Sequence, residues 1–228
     1  MKTRFKTNKS ICAVVASLIA AGAATTAQAA PEISFYLGAQ MGTDSTVDGN
    51  DPDGVGRFSF PASWDGRSFE TPPHYGVRAT WWRSDRFGWQ VDFNHTKLYA
   101  DDETLDESGF ETLEFTDGLN NLTIGPIWRF NEFTPGLRPY AGFGIGVVIP
   151  HVESRSTAQS PLTAEYQVAG ASVAWMSGLT YELNDRWALF GEYKGTYNHV
   201  QADLEGGGKL NTNVFTHAIN FGVTIRFD

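Results

Sequence analysis

The sequence predicts an all-β fold: an eight-stranded antiparallel up-and-down barrel that crosses a membrane with its strands. Three observations lead there. After residue 30 there is no run of eighteen apolar residues, so no transmembrane helix is expected. Instead, apolar and polar residues alternate over roughly ten positions at a time, the period of strands. One phase holds the bulky apolar residues, and the other holds glycines, threonines, asparagines and a few charges.

Residues 1–29 read as a cleaved signal peptide and residues 30–228 as the barrel. Lys2, Arg4, Lys6 and Lys9 form a basic start, Ile11 to Ala24 an apolar stretch too short for the ~20 residues of a membrane span, and Ala27-Gln28-Ala29 a small-x-small cleavage site. Cleavage removes Cys12, the single cysteine, so neither a disulfide nor a Cys-rich zinc site is expected in the exported chain. It also leaves 13 basic against 26 acidic residues. So acidic a chain has no footprint for nucleic acid, whose affinity rests on clustered Lys and Arg.

Strands are expected over about 33–42, 74–82, 87–98, 119–130, 139–149, 171–183, 187–197 and 215–227. The last is the clearest. Phe215, His217, Ile219, Phe221, Val223, Ile225 and Phe227 share one face, with Thr216, Ala218, Asn220, Gly222, Thr224 and Arg226 on the other. In the fifth, Phe143, Ile145, Val147 and Ile149 oppose Gly142, Gly144 and Gly146; this is no dinucleotide loop, because no helix follows it. Pro126 removes a ladder donor where a closed barrel has no edge; a local bulge could absorb it, and would flip the phase above it.

Three short connections (83–86, 131–137 and 184–186) alternate with four long ones (43–73, 99–118, 150–170 and 198–214), which places them at opposite ends. A soluble barrel would have to turn the bulky face inward and leave the glycines outside. A membrane barrel turns it toward lipid and fills a narrow interior with the small and polar residues. Arg78, Asp92, Arg129, Glu182, Glu192, Lys194 and Arg226 take the inward phase and can neutralise one another there. Trp81, Phe87, Trp128, Phe130, Tyr181, Trp187 and Phe227 form an aromatic girdle beside the short turns, which marks that end as periplasmic.

The long, extracellular loops hold 18 of the 26 acidic residues. Carboxylates there either repel the anionic groups of a membrane surface or share divalent cations with them. Asp48, Asn50, Asp51 and Asp53 miss the register of a calcium loop and read as a turn. All five histidines fall near the outer rim. His95, Glu114, His151 and Glu153 take the outward phase on what read as strands three to five, so two imidazoles and two carboxylates are expected to converge at the headgroup level of the outer leaflet. Asn94-His95-Thr96-Lys97 lacks the His-x-Ser spacing of deacylase barrels, which makes acyl hydrolysis the weaker chemistry.

Arg138-Pro139-Tyr140-Ala141-Gly142-Phe143-Gly144, Leu189-Phe190-Gly191-Glu192-Tyr193 and the strand ending in Phe227 resemble the small eight-stranded outer-membrane barrels of Gram-negative bacteria, over essentially all of 31–228. The resemblance implies a bacterial outer-membrane location, outer-leaflet lipopolysaccharide as a neighbour, and insertion by the barrel assembly machinery. A monomer is expected. The family usually ends on the aromatic residue, whereas Asp228 follows Phe227 here.

Within that group, Phe93 to Ala100, Phe110 to Leu119, Val148 to Glu153 and Ala202 to Gly208 look like the lipid A oxidase barrels of rhizobia and their relatives. This resemblance implies oxidation of the proximal glucosamine of lipid A to 2-aminogluconate with dioxygen. Such chemistry calls for a metal or organic redox cofactor. No flavin or nicotinamide site is visible, so His95 and His151 with Glu114 or Glu153 are the candidate ligands of Fe, Cu or Mn. A remaining carboxylate would act as base, and Lys97 or Arg155 would bind a lipid phosphate. The competing expectation is a non-enzymatic surface barrel that displays acidic loops.

Overall fold

The computed structural model describes residues 30–157 and 160–227; the segment expected to be a signal peptide, with Cys12, and Asp228 lie outside the described residues. In chain order the elements are β1 (Glu32–Gly42), β2 (Ser45–Asp51), β3 (Gly56–Ala62), β4 (Trp64–Asp65), β5 (Tyr75–Trp82), β6 (Phe87–His95), β7 (Leu98–Ala100), α1 (Asp102–Ser108), β8 (Thr112–Phe115), β9 (Leu119–Arg129), β10 (Leu137–Arg155), β11 (Thr163–Tyr166), β12 (Gly170–Glu182), β13 (Trp187–Asp203) and β14 (Lys209–Ile225). Antiparallel pairing runs β1–β5–β6–β9–β10–β12–β13–β14 and returns from β14 to β1, which closes the sheet and removes its edges.

In the half nearer the short turns the faces divide as the sequence phase requires. Phe35, Leu37, Phe143, Ile145, Leu189, Ile219 and Phe221 are exposed on the outside. The strand length from Phe215 to Ile225 gives an apolar band on the order of 25 Å tall once tilt is allowed for. Trp128, Phe130, Tyr181, Trp187 and Phe227 fringe its lower border. Inside, Arg78 donates to Asp92 at 2.9 Å and to Glu192 at 2.8 Å. Lys194 donates to Asp92 and, at 2.7 Å, to the Tyr36 hydroxyl, and Tyr140 donates to Glu192 at 2.7 Å. Two cations and two anions thus cancel within hydrogen bonds, the arrangement that makes buried charge tolerable. The Tyr36 ring lies over Gly76, where any Cβ would sit 2.0 Å from it. Below this network Arg226 bridges Glu32 and Glu182.

Three features depart from expectation. First, Pro126 causes no bulge. The β9–β10 and β6–β9 registers run unchanged past it, and its ring takes the outward phase between Ile124 and Trp128.

Second, β10, β13 and β14 continue well beyond 149, 197 and 215, and the long connections are largely ordered. They carry β2, β3, β4, β7, β8, β11 and α1. The helix is capped by Asp101, whose side chain accepts from Thr104 N, and it ends at Gly109 in the left-handed region.

Third, these additions enclose an apolar core of their own: Val47, Trp64, Leu98, Phe110, Leu113, Phe115, Leu119, Val148, Val152, Val200, Leu204, Leu210 and Val214, with Phe58 and Phe60 packed against it. A layer of short polar side chains separates this core from the charged network below. In it Ser172 donates to Asn121 at 2.7 Å and Thr196 meets Thr216 at 2.6 Å.

Candidate functional site

On the outside of the barrel, at the height where its lining changes from polar to apolar, aromatic, imidazole and carboxylate side chains gather on β4 to β11. They form a cross-strand row. Asp65 is opposite Tyr99, Tyr99 opposite Glu114, Glu114 opposite Glu153, and Glu153 opposite Ala164. Directly opposed residues of a sheet have Cβ atoms about 5 Å apart. The two glutamates are therefore neighbours, and Glu114 is held above the usual carboxylate range, first by burial and then by the charge of Glu153.

One step nearer the band, the Thr116 hydroxyl donates to Glu153 at 3.2 Å and lies 3.4 Å from His151 Nδ1. That hydroxyl links imidazole to carboxylate. The His151 ring packs on Tyr166 at 4.8 Å between centroids, and the Tyr166 hydroxyl donates to the Asp117 carbonyl at 3.1 Å.

His95 lies on the far side of Asn120. Asn120 Nδ2 donates to Ile149 O at 3.2 Å, which turns its Oδ1 toward His95 Nδ1 at 2.9 Å. His95 Nδ1 is thereby the donor, and its Nε2 is buried without a partner. The ring also stacks on Tyr75 at 5.0 Å. Gly118 makes this approach possible: at φ 104° it turns the chain, and a Cβ there would lie 2.3 Å from His95 Nδ1.

All four expected site residues therefore lie on the outward face, but they fall into two groups. His151, Thr116, Glu153 and Glu114 are together; His95 is held apart by Asn120, because β9 runs between β6 and β10. Glu114 does not continue β9. The Gly118 turn sends it onto β8, which pairs with β10. Among the described residues no three His, Cys, Asp or Glu side chains converge to hold a metal ion. The set expected from the sequence does not fit a metal.

Lys97 is likewise removed from a phosphate-binding role. It is 2% exposed, and its ammonium donates to Glu70 O at 3.1 Å. Its strand ends at His95, and the 66–74 segment covers it. Arg155 keeps the outward phase on β10 two residues above Glu153, with Nε buried and unpartnered. His74 points inward to Asn220 at 3.0 Å, whereas His217 faces out against Tyr193. Sequence reading missed Arg67, Tyr99, Thr116, Asp117, Asn120 and Tyr166, which only strand pairing assembles. Gly118 was the local sign of the turn.

Residues 13–227 match the family described as the outer membrane protein β-barrel domain. No curated protein matches the sequence. Among solved structures, Neisserial surface protein A is similar at 13% identity over 86% of this chain and 97% of that one, with a TM-score of 0.49. Outer membrane protein W of E. coli is similar at 15% identity over 89% and 100%, with a TM-score of 0.44. Ail, the attachment invasion locus protein of Yersinia pestis, is similar at 14% identity over 84% and 99%, with a TM-score of 0.35.

Proposed function

From the premise that this chain belongs to the outer membrane β-barrel family and lies in the bacterial outer membrane, we propose that it acts on the headgroup of lipid A, oxidising the proximal glucosamine to 2-aminogluconate with dioxygen. The reading rests on one observation. The Glu114–Glu153 pair, His151 and the flanking tyrosines face outward where the apolar band ends, the depth at which outer-leaflet sugars lie.

In the net reaction the anomeric C1–OH carbon loses two electrons and two protons and dioxygen gains them as hydrogen peroxide, a transfer that would need a bound redox group which the rim residues do not themselves supply. Water then opens the resulting lactone, so the product is one oxygen heavier. The residues present handle protons. Glu153 accepts the anomeric proton, Thr116 and His151 relay it, and Glu114, which holds a proton more tightly than an ordinary carboxylate, stands beside the sugar. Tyr99 and Tyr166 offer flat faces beside the pair.

The test is mass spectrometry of lipid A lacking the 1-phosphate after incubation in air with refolded barrel, with and without chelator. A product one oxygen heavier that needs dioxygen, and that disappears in Glu153→Gln while heat-modifiable gel mobility is retained, is expected. An unchanged spectrum from folded protein sinks the oxidase. It would leave the non-enzymatic surface barrel, a reading favoured by the ordered apolar core beneath the acidic loops.

A further inference from the structure

Residues 67–70 form a tight turn beside the rim site, with Glu70 N donating to Arg67 O at 3.2 Å. The turn is firmly held. Ser68 Oγ accepts from Gln40 N at 2.8 Å and donates to Gln40 O at 2.9 Å, His74 N donates to Ser68 O at 2.8 Å, and Lys97 binds Glu70 O.

Arg67 sits in it at φ 42°, the sole non-glycine residue with positive φ among the described residues. A side chain there costs on the order of 1 kcal/mol or more, and Gly or Asn would fit the backbone better. The arginine is exposed, its guanidinium 4.1 Å over the Tyr99 ring, and no carboxylate pairs with it among the described residues. Tyr99 stands opposite Glu114, and Arg67 is close enough to act on the Glu114 charge. Phe69, two residues on, is 83% exposed.

The other cations above the band are placed elsewhere. Lys97 is buried, Arg155 is higher on β10, and Arg57 and Lys209 belong to the β2–β3–β14 pairing. A strained backbone thus presents one open, planar, five-donor cation, stacked on an aromatic ring, at the edge of an otherwise anionic site.

We propose that Arg67 is the anion-recognising residue of the rim site and binds a phosphate monoester on the glycolipid headgroup. The inference rests on the reading that this site faces lipid headgroups, but it concerns binding and not oxidation. Guanidinium suits the task because it pairs with phosphate oxygens through two parallel bonds, which an ammonium cannot do.

The experiment uses the whole barrel in phosphatidylcholine nanodiscs, without dioxygen. It is titrated with lipid A carrying its 4′-phosphate, with lipid A stripped of both phosphates, and with inorganic phosphate. Phosphorylated lipid A is expected to bind at least tenfold more tightly than the stripped lipid, with inorganic phosphate displacing it only weakly. Full displacement by inorganic phosphate would assign the site to the free ion and overturn the lipid assignment.

Arg67→Ala and Arg67→Gly should each abolish the preference for phosphorylated lipid while leaving the affinity for stripped lipid unchanged, and Arg67→Lys should keep part of it. Arg67→Gly should also melt at the same temperature as the parent or higher, because glycine relieves the backbone. No preference in the parent, or a glycine variant that binds like it, overturns the proposal. So does a glycine variant that loses both lipids and melts lower, since Arg67 would then merely support Tyr99. Phosphate preference without any oxidised product would leave Arg67 in place and remove only the oxidase.

Discussion

The lower and upper halves of this barrel use the same strands, the same period and opposite polarity. On β14, Thr216, Ala218, Asn220 and Thr224 point inward and Phe215, Ile219 and Phe221 outward; above Phe215 the inward residues become Leu210 and Val214 and the outward ones Lys209, Asn211 and Asn213. β13 changes at Asn198, with Glu192, Lys194 and Thr196 buried below it and Val200 and Ala202 above. β10 changes after Ile149, where outward Phe143 and Ile145 give way to His151, Glu153 and Arg155. Polarity follows the solvent outside. Where lipid surrounds the sheet, the interior must hold the polar groups; where water surrounds it, the interior becomes a conventional core. The candidate site lies at the crossover, where one surface meets acyl chains, headgroups and water.

This contrast can be broken most severely in the lower half. Arg78→Ala leaves Asp92 and Glu192 buried with one cation between them and is expected to destabilise the barrel by about 3–5 kcal/mol. The reading is the denaturant midpoint for loss of heat-modifiable mobility. In the upper half, Leu210→Ala should cost about 3 kcal/mol by leaving a cavity in the second core. It should act locally: protease nicks the loops sooner, while gel mobility still reports a folded lower barrel. If both properties fail together, the halves are one cooperative unit. At the crossover, Tyr193→Phe removes the bond to His217 Nδ1 at 2.5 Å and should cost about 1 kcal/mol, read in the same denaturation.

The smallest expected effect is one of pH. Because Glu114 binds its proton more tightly in the folded state, its own contribution to the stability of the upper half is fully present below the ordinary glutamate value near 4.5. That stability declines as pH rises toward the raised value. Protease sensitivity should follow this slope, and Glu114→Gln should flatten it.

How much of this was legible in the sequence depends on which half is considered. The lower strands were readable because Phe, Ile and Val alternate with Gly and Thr along one chain, and local alternation is enough. The upper extensions were not, since a search for bulky residues on the outward phase stops at Phe215. Leu210, Thr212 and Val214 keep the period but carry the apolar residues on the other face. The site divides the same way. His95, His151 and Glu153 were placed correctly on the outward face by parity. Glu114 also faces outward, but it was assigned to the wrong strand, because the turn at Gly118 separates β8 from β9 and pairs β8 with β10. Arg67 and Tyr99 come beside Glu114 only through pairing between segments far apart in sequence, for which the chain carries no local mark.

The measurement that tests this account most directly is the depth of the crossover on the outer face of β10. Single spin labels at positions 141, 145, 149, 153 and 155 of the barrel in bilayers would be quenched by lipid-dissolved oxygen and by a water-soluble nickel chelate. The account predicts that oxygen dominates through Ile149 and the chelate from Glu153 onward, which places Glu114, His151 and Glu153 among the headgroups. A crossover at Ile145 or below would lift these residues clear of the lipid, and continued oxygen dominance at Arg155 would bury them in it; either contradicts a headgroup-facing site.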